Sequence, residues 1–385
     1  MIIDLKQIKY VGFYNPIINK DENRNTLLSA TNKMDYIISK INQLGNNVEI
    51  LSPSWTYNNK FYKGKLIQLE ENVSVKLPPT FPWNKCLKYL SILFSEIWLF
   101  LYLIFNTRRN EVVMVYHSLF IMYPIYYAKK IKKFKLILEV EEIYQDVKKY
   151  SKKISKFEYK VFKIADKYIF STELLNQKLN INKKPYSIIS GTYQVEKDRK
   201  SKFNDGKIHV VYAGTFDPRK GGALAATAAA AYLPKDYHLH IIGFGSKDDT
   251  SMLLKKIDEI SKKTEATVTY DGLLSGEEYI RFLQNCDIGL STQIPEGAYN
   301  ETSFPSKILS YMANGLRVVS IRIIAVEMSD VGQAIYYYDE PSPEAISNAI
   351  ISVDILEPYD SRELIRRLDE NFVKNINKLL EGSDG

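Results

Sequence analysis

The residues best equipped for chemistry are one lysine and a set of glycines. In Tyr299–Gly315, YNETSFPSKILSYMANG, Pro305 suits a first helical turn, and Ile308, Leu309 and Met312 share one helical face. Gly315 stands where a helix end tolerates left-handed backbone. Lys307 is the odd member, because a cation in a first turn faces the positive end of the helix dipole. Its place makes sense where an anion docks, held by backbone N–H groups, the lysine and the Ser306 hydroxyl. A solvated surface lysine is the plain alternative. Val210–Gly222, VVYAGTFDPRKGG, offers a strand ending at Gly214 and Thr215, then Arg219 and Lys220 before an alanine-rich helix. Glycine admits close approach of a ligand, and two cations can neutralise a diphosphate. Ile241–Gly245, IIGFG, is a similar strand end carrying Gly243 and Gly245, and Tyr270–Gly272 a nearby turn. Each alone also fits an ordinary turn. In a parallel sheet all of them converge on one crevice.

Other chemistries lack their residues. The sequence has no G-x-x-x-x-G-K-[ST] loop and no G-x-G-x-x-G fingerprint, so a dinucleotide cofactor is not indicated. It has no Asp-x-Asp pair, and His117, His209, His238 and His240 lack the spacing of metal ligands. The expectation is a nucleoside diphosphate bound as part of a substrate, with no cofactor and no metal. Glu141 and Glu142, at the end of an apolar run Phe134–Val140, are candidate acid/base carboxylates; a solvated strand end is the plain alternative.

The elements that must position these groups alternate strand and helix. Ile8–Tyr14, Val48–Ser52, Glu111–His117 and Phe134–Val140 read as strands, and Ala30–Leu44 and Met122–Lys130 as helices between them. Residues 53–84 read as an irregular excursion and Lys148–Lys167 as one lysine-rich helix. After a charged stretch, 194–207, the pattern restarts with strands Ile208–Gly214, His238–Gly243, Val268–Asp271, Ile288–Ser291 and Arg317–Ile324. The fold class expected is α/β, with an N-terminal domain 1–200, a C-terminal domain 201–359, and a last helix 360–385 returning to the first.

The first 200 residues hold 33 Lys and Arg against 18 Asp and Glu, leaving 19 of the 52 cations and 27 of the 45 acids to the rest. A basic half joined to an acidic half implies that the first domain meets something anionic. Cys86–Phe105, CLKYLSILFSEIWLFLYLIF, is long enough to span a bilayer but carries Glu96 mid-run. It reads as a core helix or as one lying in a membrane interface beside Lys85, Arg108 and Arg109. Two cysteines fit a reducing compartment, and MIIDLKQIKYVGF shows no signal-peptide pattern.

The order of motifs in Val210–Tyr338 resembles the donor-binding domain of GT-B glycosyltransferases, most closely retaining family 4, in the line that builds bacterial surface polysaccharides. SFPSKILSYMANGLRVVS is similar to that family's E-x-F-P-x-x-x-x-E-x-M-A-x-G-x-P-V-V, with Thr302 and Ser310 in place of its two glutamates. CDIGLSTQ resembles the strand before the donor loop, and ILEVEEIY one that often ends in His-Asp. The resemblance implies two facing Rossmann-like domains with a donor cleft between them. Gly214, Thr215, Arg219, Lys220, Gly243, Gly245, Tyr270, Thr302, Ser303, Phe304, Ser306 and Lys307 would bind a donor, UDP-linked, with Lys220 and Lys307 catalytic. Retention needs no protein base; inversion would draw on Glu141 or Glu142. The implied partners are a nucleotide-sugar, a saccharide or lipid-linked acceptor and an anionic membrane surface, the inner face of the plasma membrane, with no nucleic acid. An epimerase of the same fold and an inactive transferase-like subunit are the alternatives.

Overall fold

The computed structural model describes residues 6–147, 150–199, 202–218, 221–294 and 302–381. The chain divides into two compact units, residues 1–189 with 372–385, and residues 190–371.

The first unit is an eight-stranded sheet: β1 (Gln7–Val11), β2 (Asn47–Leu51), β3 (Lys65–Glu70), β4 (Val73–Leu77), β5 (Val112–Tyr116), β6 (Lys135–Val140), β7 (Lys167–Phe170) and β8 (Tyr186–Ile188). Their order is β3-β4-β2-β1-β5-β6-β7-β8. Only β3–β4 is antiparallel. Helices α1 (Leu28–Gln43), α2 (Lys88–Asn106), α3 (Met122–Lys132), α4 (Tyr144–Val147), α5 (Lys152–Ile164) and α6 (Glu173–Leu179) connect the strands. β6, KLILEV, is buried from its second residue onward, as a strand covered on both faces must be.

Two sequence expectations need correction here. Residues 53–84 are not wholly irregular, since they contain the β3–β4 hairpin. β3 alternates half-buried and exposed residues at a sheet edge, so its polar content hides a strand. The lysine-rich helix is shorter than Lys148–Lys167, because the Ser151 hydroxyl caps α5 and Lys167 already belongs to β7.

The second unit is a six-stranded, all-parallel sheet: β9 (Ile208–Thr215), β10 (Tyr237–Phe244), β11 (Thr267–Tyr270), β12 (Ile288–Ser291), β13 (Arg317–Ile321) and β14 (Ile335–Tyr338). The order β11-β10-β9-β12-β13-β14 is the doubly wound arrangement, whose switch point lies between β9 and β12. These two strands pair only at Val210 and Val211, so the register ends before their C-terminal residues. Helices α7 (Gly222–Ala229), α8 (Lys247–Ser261), α9 (Gly276–Asn285), α10 (Lys307–Ala313), α11 (Ile324–Glu327), α12 (Pro343–Ile351) and α13 (Ser361–Glu381) complete it. α13 starts in the second unit, and its residues from Phe372 belong to the first, where Phe372 stacks on Tyr36 and Lys167 donates to the Leu379 carbonyl.

Candidate functional site

The site grows from the C-terminal end of β9. Tyr212 and Gly214 lie two apart on that strand and therefore on one face. The Tyr212 hydroxyl donates to the Thr215 carbonyl at 3.2 Å. A β-carbon on Gly222, at the start of α7, would meet that hydroxyl at 2.6 Å, so glycine is what allows the close approach. Lys307 lies over the Tyr212 ring, its Nζ 4.0 Å from the centroid. The same Nζ is 3.0 Å from where a β-carbon on Gly214 would sit. Gly214 and Lys307 thus meet at the switch point, as the sequence expected.

The reason for the meeting differs from the expected one. α10 has only seven residues, begins at Lys307 rather than at Pro305, and its N-cap Ser306 makes no side-chain cap. The dipole of so short a helix adds little, and the ammonium group is the stronger attraction for an anion. What fixes Lys307 is Tyr311, one turn on. The fully buried Tyr311 hydroxyl accepts from the Ala213 N–H at 2.8 Å and donates to the Leu290 carbonyl at 3.2 Å. Its ring lies against Gly289 of β12, where a β-carbon would overlap it. α10 is thereby locked across β9 and β12. Sequence reading missed both tyrosines; the alternation that places Tyr212 beside Gly214 was the available signal.

Around this centre, Ser291 is fully buried and its Oγ has no hydrogen-bond partner. Thr292 Oγ1 donates to the Gly222 carbonyl at 2.8 Å, tying the end of β12 to α7. Gly243 pairs with Gly214 in the β9–β10 register and has φ +135°. A β-carbon there would overlap the Gly214 carbonyl oxygen. Gly243 N–H donates to Gly272 at 2.9 Å, and the Tyr270 hydroxyl to the Gly243 carbonyl at 3.2 Å. Gly245 lies against Phe216, whose ring meets Tyr270 edge-on at 5.5 Å. Thr302 is buried, Ser303 and Phe304 are half-buried, and Ser306 is exposed. The Ser310 hydroxyl is 3.3 Å from that of Tyr279. Arg219 and Lys220 lie outside the described residues.

The histidines require a second correction. His209, His238 and His240 do converge, with ligand atoms all within 4.8 Å of one another. Adjacent strands bring together what sequence spacing kept apart. His209 Nδ1 and His240 Nε2 are 2.9 Å apart, and their other nitrogens face Asp205 and Asp271. That separation is the length of an N–H···N hydrogen bond. One zinc ion held tetrahedrally by both nitrogens would need them about 3.3 Å apart. The His238 ring stacks on His240 at 3.8 Å, nearly parallel, so their lone pairs do not point to a common centre. Burial, then His240, His209 and Lys207, push the His238 imidazole down to about 4, only partly offset by Asp271. The described geometry is that of a hydrogen-bonded relay across β9, β10 and β11.

In the first unit, Glu141 pairs with the buried Lys33, whose ammonium also donates to the Ile189 carbonyl at 2.7 Å. Glu142 is half-buried beside it. The adjacent strand residue Glu139 is fully buried; Tyr10 donates to one of its oxygens and the other, Oε1, has no partner. Burial raises its carboxyl to about 8, with Glu141 adding to the rise and Lys33 and Tyr10 opposing it. Unfolded, the group ionises near 4.5. The folded state therefore holds the proton between these values; the stability this group contributes is complete below about 4.5 and lost as pH rises through about 8. Glu139→Gln is expected to reduce the loss of stability between acid and alkaline pH by on the order of 2–5 kcal/mol, read from urea unfolding on either side of that window. Equal slopes in the two proteins would show that Glu139 ionises normally.

Residues 207–353 match the family model described as Glycosyl transferases group 1. Comparison with curated proteins found no match. Among solved structures, the chain is similar to sucrose-phosphate synthase from Thermosynechococcus elongatus, with TM-score 0.70, 13% identity and 98% of each chain covered. It is similar to an α,α-trehalose-phosphate synthase (UDP-forming) from Burkholderia xenovorans in complex with glucose-6-phosphate, at TM-score 0.63 and 11% identity, covering 98% of this chain and 100% of that one. It is also similar to Anabaena HepE in complex with UDP, at TM-score 0.62 and 12% identity, covering 98% of each. The fold is the mixed α/β, two-sheet architecture of GT-B glycosyltransferases.

Proposed function

We propose that the chain is a glycosyltransferase moving a sugar from a nucleoside diphosphate donor to a hydroxyl of a saccharide or lipid-linked acceptor, in the synthesis of a surface polysaccharide or other glycan. The observation that carries this reading is the meeting of Lys307 Nζ with Gly214 at the β9/β12 switch point, inside the segment matched to group 1 transferases. An ammonium beside half-buried glycine backbone suits a diphosphate, and it opposes the charge that grows as the nucleotide leaves; such stabilisation is usually the largest catalytic term. The Tyr270–Gly272 turn and Gly243 would border the base, with Thr215, Ser303, Phe304 and Ser306 nearer the sugar and phosphates and Arg219 and Lys220 joining Lys307. UDP is the donor nucleotide we favour, as the ligand of HepE. No metal takes part in this reading. The test is release of free nucleoside diphosphate from a nucleotide-sugar. Release that needs an acceptor supports transfer. Isomerised nucleotide-sugar would identify an epimerase. Binding without turnover would identify the supporting subunit that Thr302 and Ser310, in place of two glutamates, suggest.

With retention of configuration, no protein base is needed at the acceptor. Glu141 pairs with Lys33, and its half-buried neighbour Glu142 is the second candidate carboxylate. Glu142→Gln is expected to change turnover by less than about twofold. A fall of about a hundredfold or more, with inverted product, would make it a general base.

The reading includes attachment to an anionic membrane surface on the cytoplasmic side. α2 is 19 residues long and apolar enough to cross a membrane, yet Ser91, Ser95, Leu99 and Leu103 are buried. Leu93, Ile97, Leu101 and Phe105 form an exposed row at four-residue spacing. Arg108 and Arg109 follow the helix. Such a helix can lie in the interface while its other face packs on the sheet. Leu93→Glu with Ile97→Glu is expected to cut flotation with phosphatidylglycerol liposomes at least about tenfold; equal flotation would remove α2 from the contact.

A further inference from the structure

A cavity of about 460 Å³ lies within the first unit, beyond the C-terminal ends of β1 and β5. These strands flank the point where the order of the first sheet reverses, the position at which open α/β sheets take their ligands. Its walls are largely apolar, with aromatic rings from Phe13, Tyr116, Phe120, Tyr123, Tyr144 and Tyr150. Asn25, Thr26, Ser118 and Glu96 supply the polar side chains apart from the tyrosine hydroxyls. Among the described lining residues there is no lysine or arginine, although the first 200 residues carry 33 of them. Glu96 is half-buried, and burial raises its carboxyl, which favours the neutral form.

The cavity also continues onto an apolar surface. Phe120 and Tyr123 both line it and stand exposed at its mouth. Tyr123 begins an exposed row on α3 with Tyr127 and Ile131, at four-residue spacing. α3 packs against α2, which carries the second such row. Phe120 and Tyr123 thus join that apolar surface to the cavity.

We propose that this cavity binds the hydrocarbon tail of a lipid acceptor rather than a sugar phosphate. The proposal rests on the transferase reading above and names its acceptor class. A recess whose described lining holds no cation does not offset the cost of removing a phosphate from water, whereas aromatic walls recover hydrocarbon area. An engineered cavity of about 150 Å³ takes one benzene, so this one holds roughly 18 carbons.

The test is equilibrium dialysis of radiolabelled farnesol against the full chain, with uridine diphosphate binding measured on the same samples. Wild type should bind farnesol saturably, and excess glucose 6-phosphate should not displace it. Ala30→Trp fills the cavity from α1, where Ala30 is buried, and Tyr123→Asp places a charge at the mouth and gives up the stacking of Tyr123 on Phe157. Both should weaken farnesol binding at least about tenfold and leave uridine diphosphate binding unchanged. Absence of saturable farnesol binding overturns the proposal. So does unchanged binding in Tyr123→Asp. Displacement by glucose 6-phosphate does so too, and would place a phosphorylated sugar at the N-terminus of α1, whose N-cap Leu27 makes no side-chain cap. Farnesol binding in a protein that ignores uridine diphosphate would refute the donor site and spare the cavity.

Discussion

Replacing Lys307 by alanine is expected to lower kcat/KM by about two to three orders of magnitude and leave the melting temperature almost unchanged. The two readouts separate because the lysine's contact with Tyr212 is worth little to the fold. Its position over Tyr212 is favourable by roughly 0.5–1 kcal/mol, a small share of the ~5–15 kcal/mol typical of a folded domain, and the dipole of so short a helix adds little. Tyr311, which locks α10 across β9 and β12, is untouched. The loss therefore reports the missing charge at the diphosphate. Lys307→Arg should recover part of the rate, since the charge returns on a broader, planar group. Steady-state kinetics beside a thermal melt decides the matter. Wild-type rates in the alanine variant would remove the lysine from the chemistry, and a large fall in melting temperature would give it a structural role.

The second large effect is at Gly243. Its φ of +135° lies outside what side-chain-bearing residues adopt, and a methyl group would overlap the Gly214 carbonyl oxygen. Gly243→Ala must push apart the ends of β9 and β10, which carry Gly214, Thr215 and the hydrogen bond to Tyr270. Strain and overpacking together should cost about 3 kcal/mol or more. Donor binding should fall below detection even where the variant stays folded. Urea unfolding with calorimetric titration of uridine diphosphate measures both. Full stability with normal binding would show that β10 ends differently from the arrangement described.

How much of this was legible in the sequence depends on which force decides each feature. The second sheet was readable because buried parallel strands such as VVYAGT and IIGFG are apolar runs ending in glycine. The β3–β4 hairpin was not, because an edge strand carries the polar residues of a loop. Gly214, Gly243 and Lys307 could be found one by one, as each is unusual for its local setting. Tyr311 could not, because a tyrosine in a helix looks like core until its hydroxyl's partners are known, and Tyr212 was reachable only through its alternation with Gly214. The histidine relay escaped because its members sit on β9 and β10, joined only by register: His209 faces His238, two residues from His240. Glu139 lay in view two residues before Glu141, but only its burial separates it from the two selected carboxylates.

The central claim is that the second unit holds a nucleoside diphosphate against Lys307 and Gly214. Calorimetric titration of the full chain with uridine diphosphate tests it most directly, run beside Lys307→Ala. The account expects saturable one-to-one binding, weakened at least about tenfold in the variant. Binding that is equally tight in Lys307→Ala, or uridine, adenosine and guanosine diphosphates all failing to bind the wild type, would contradict it.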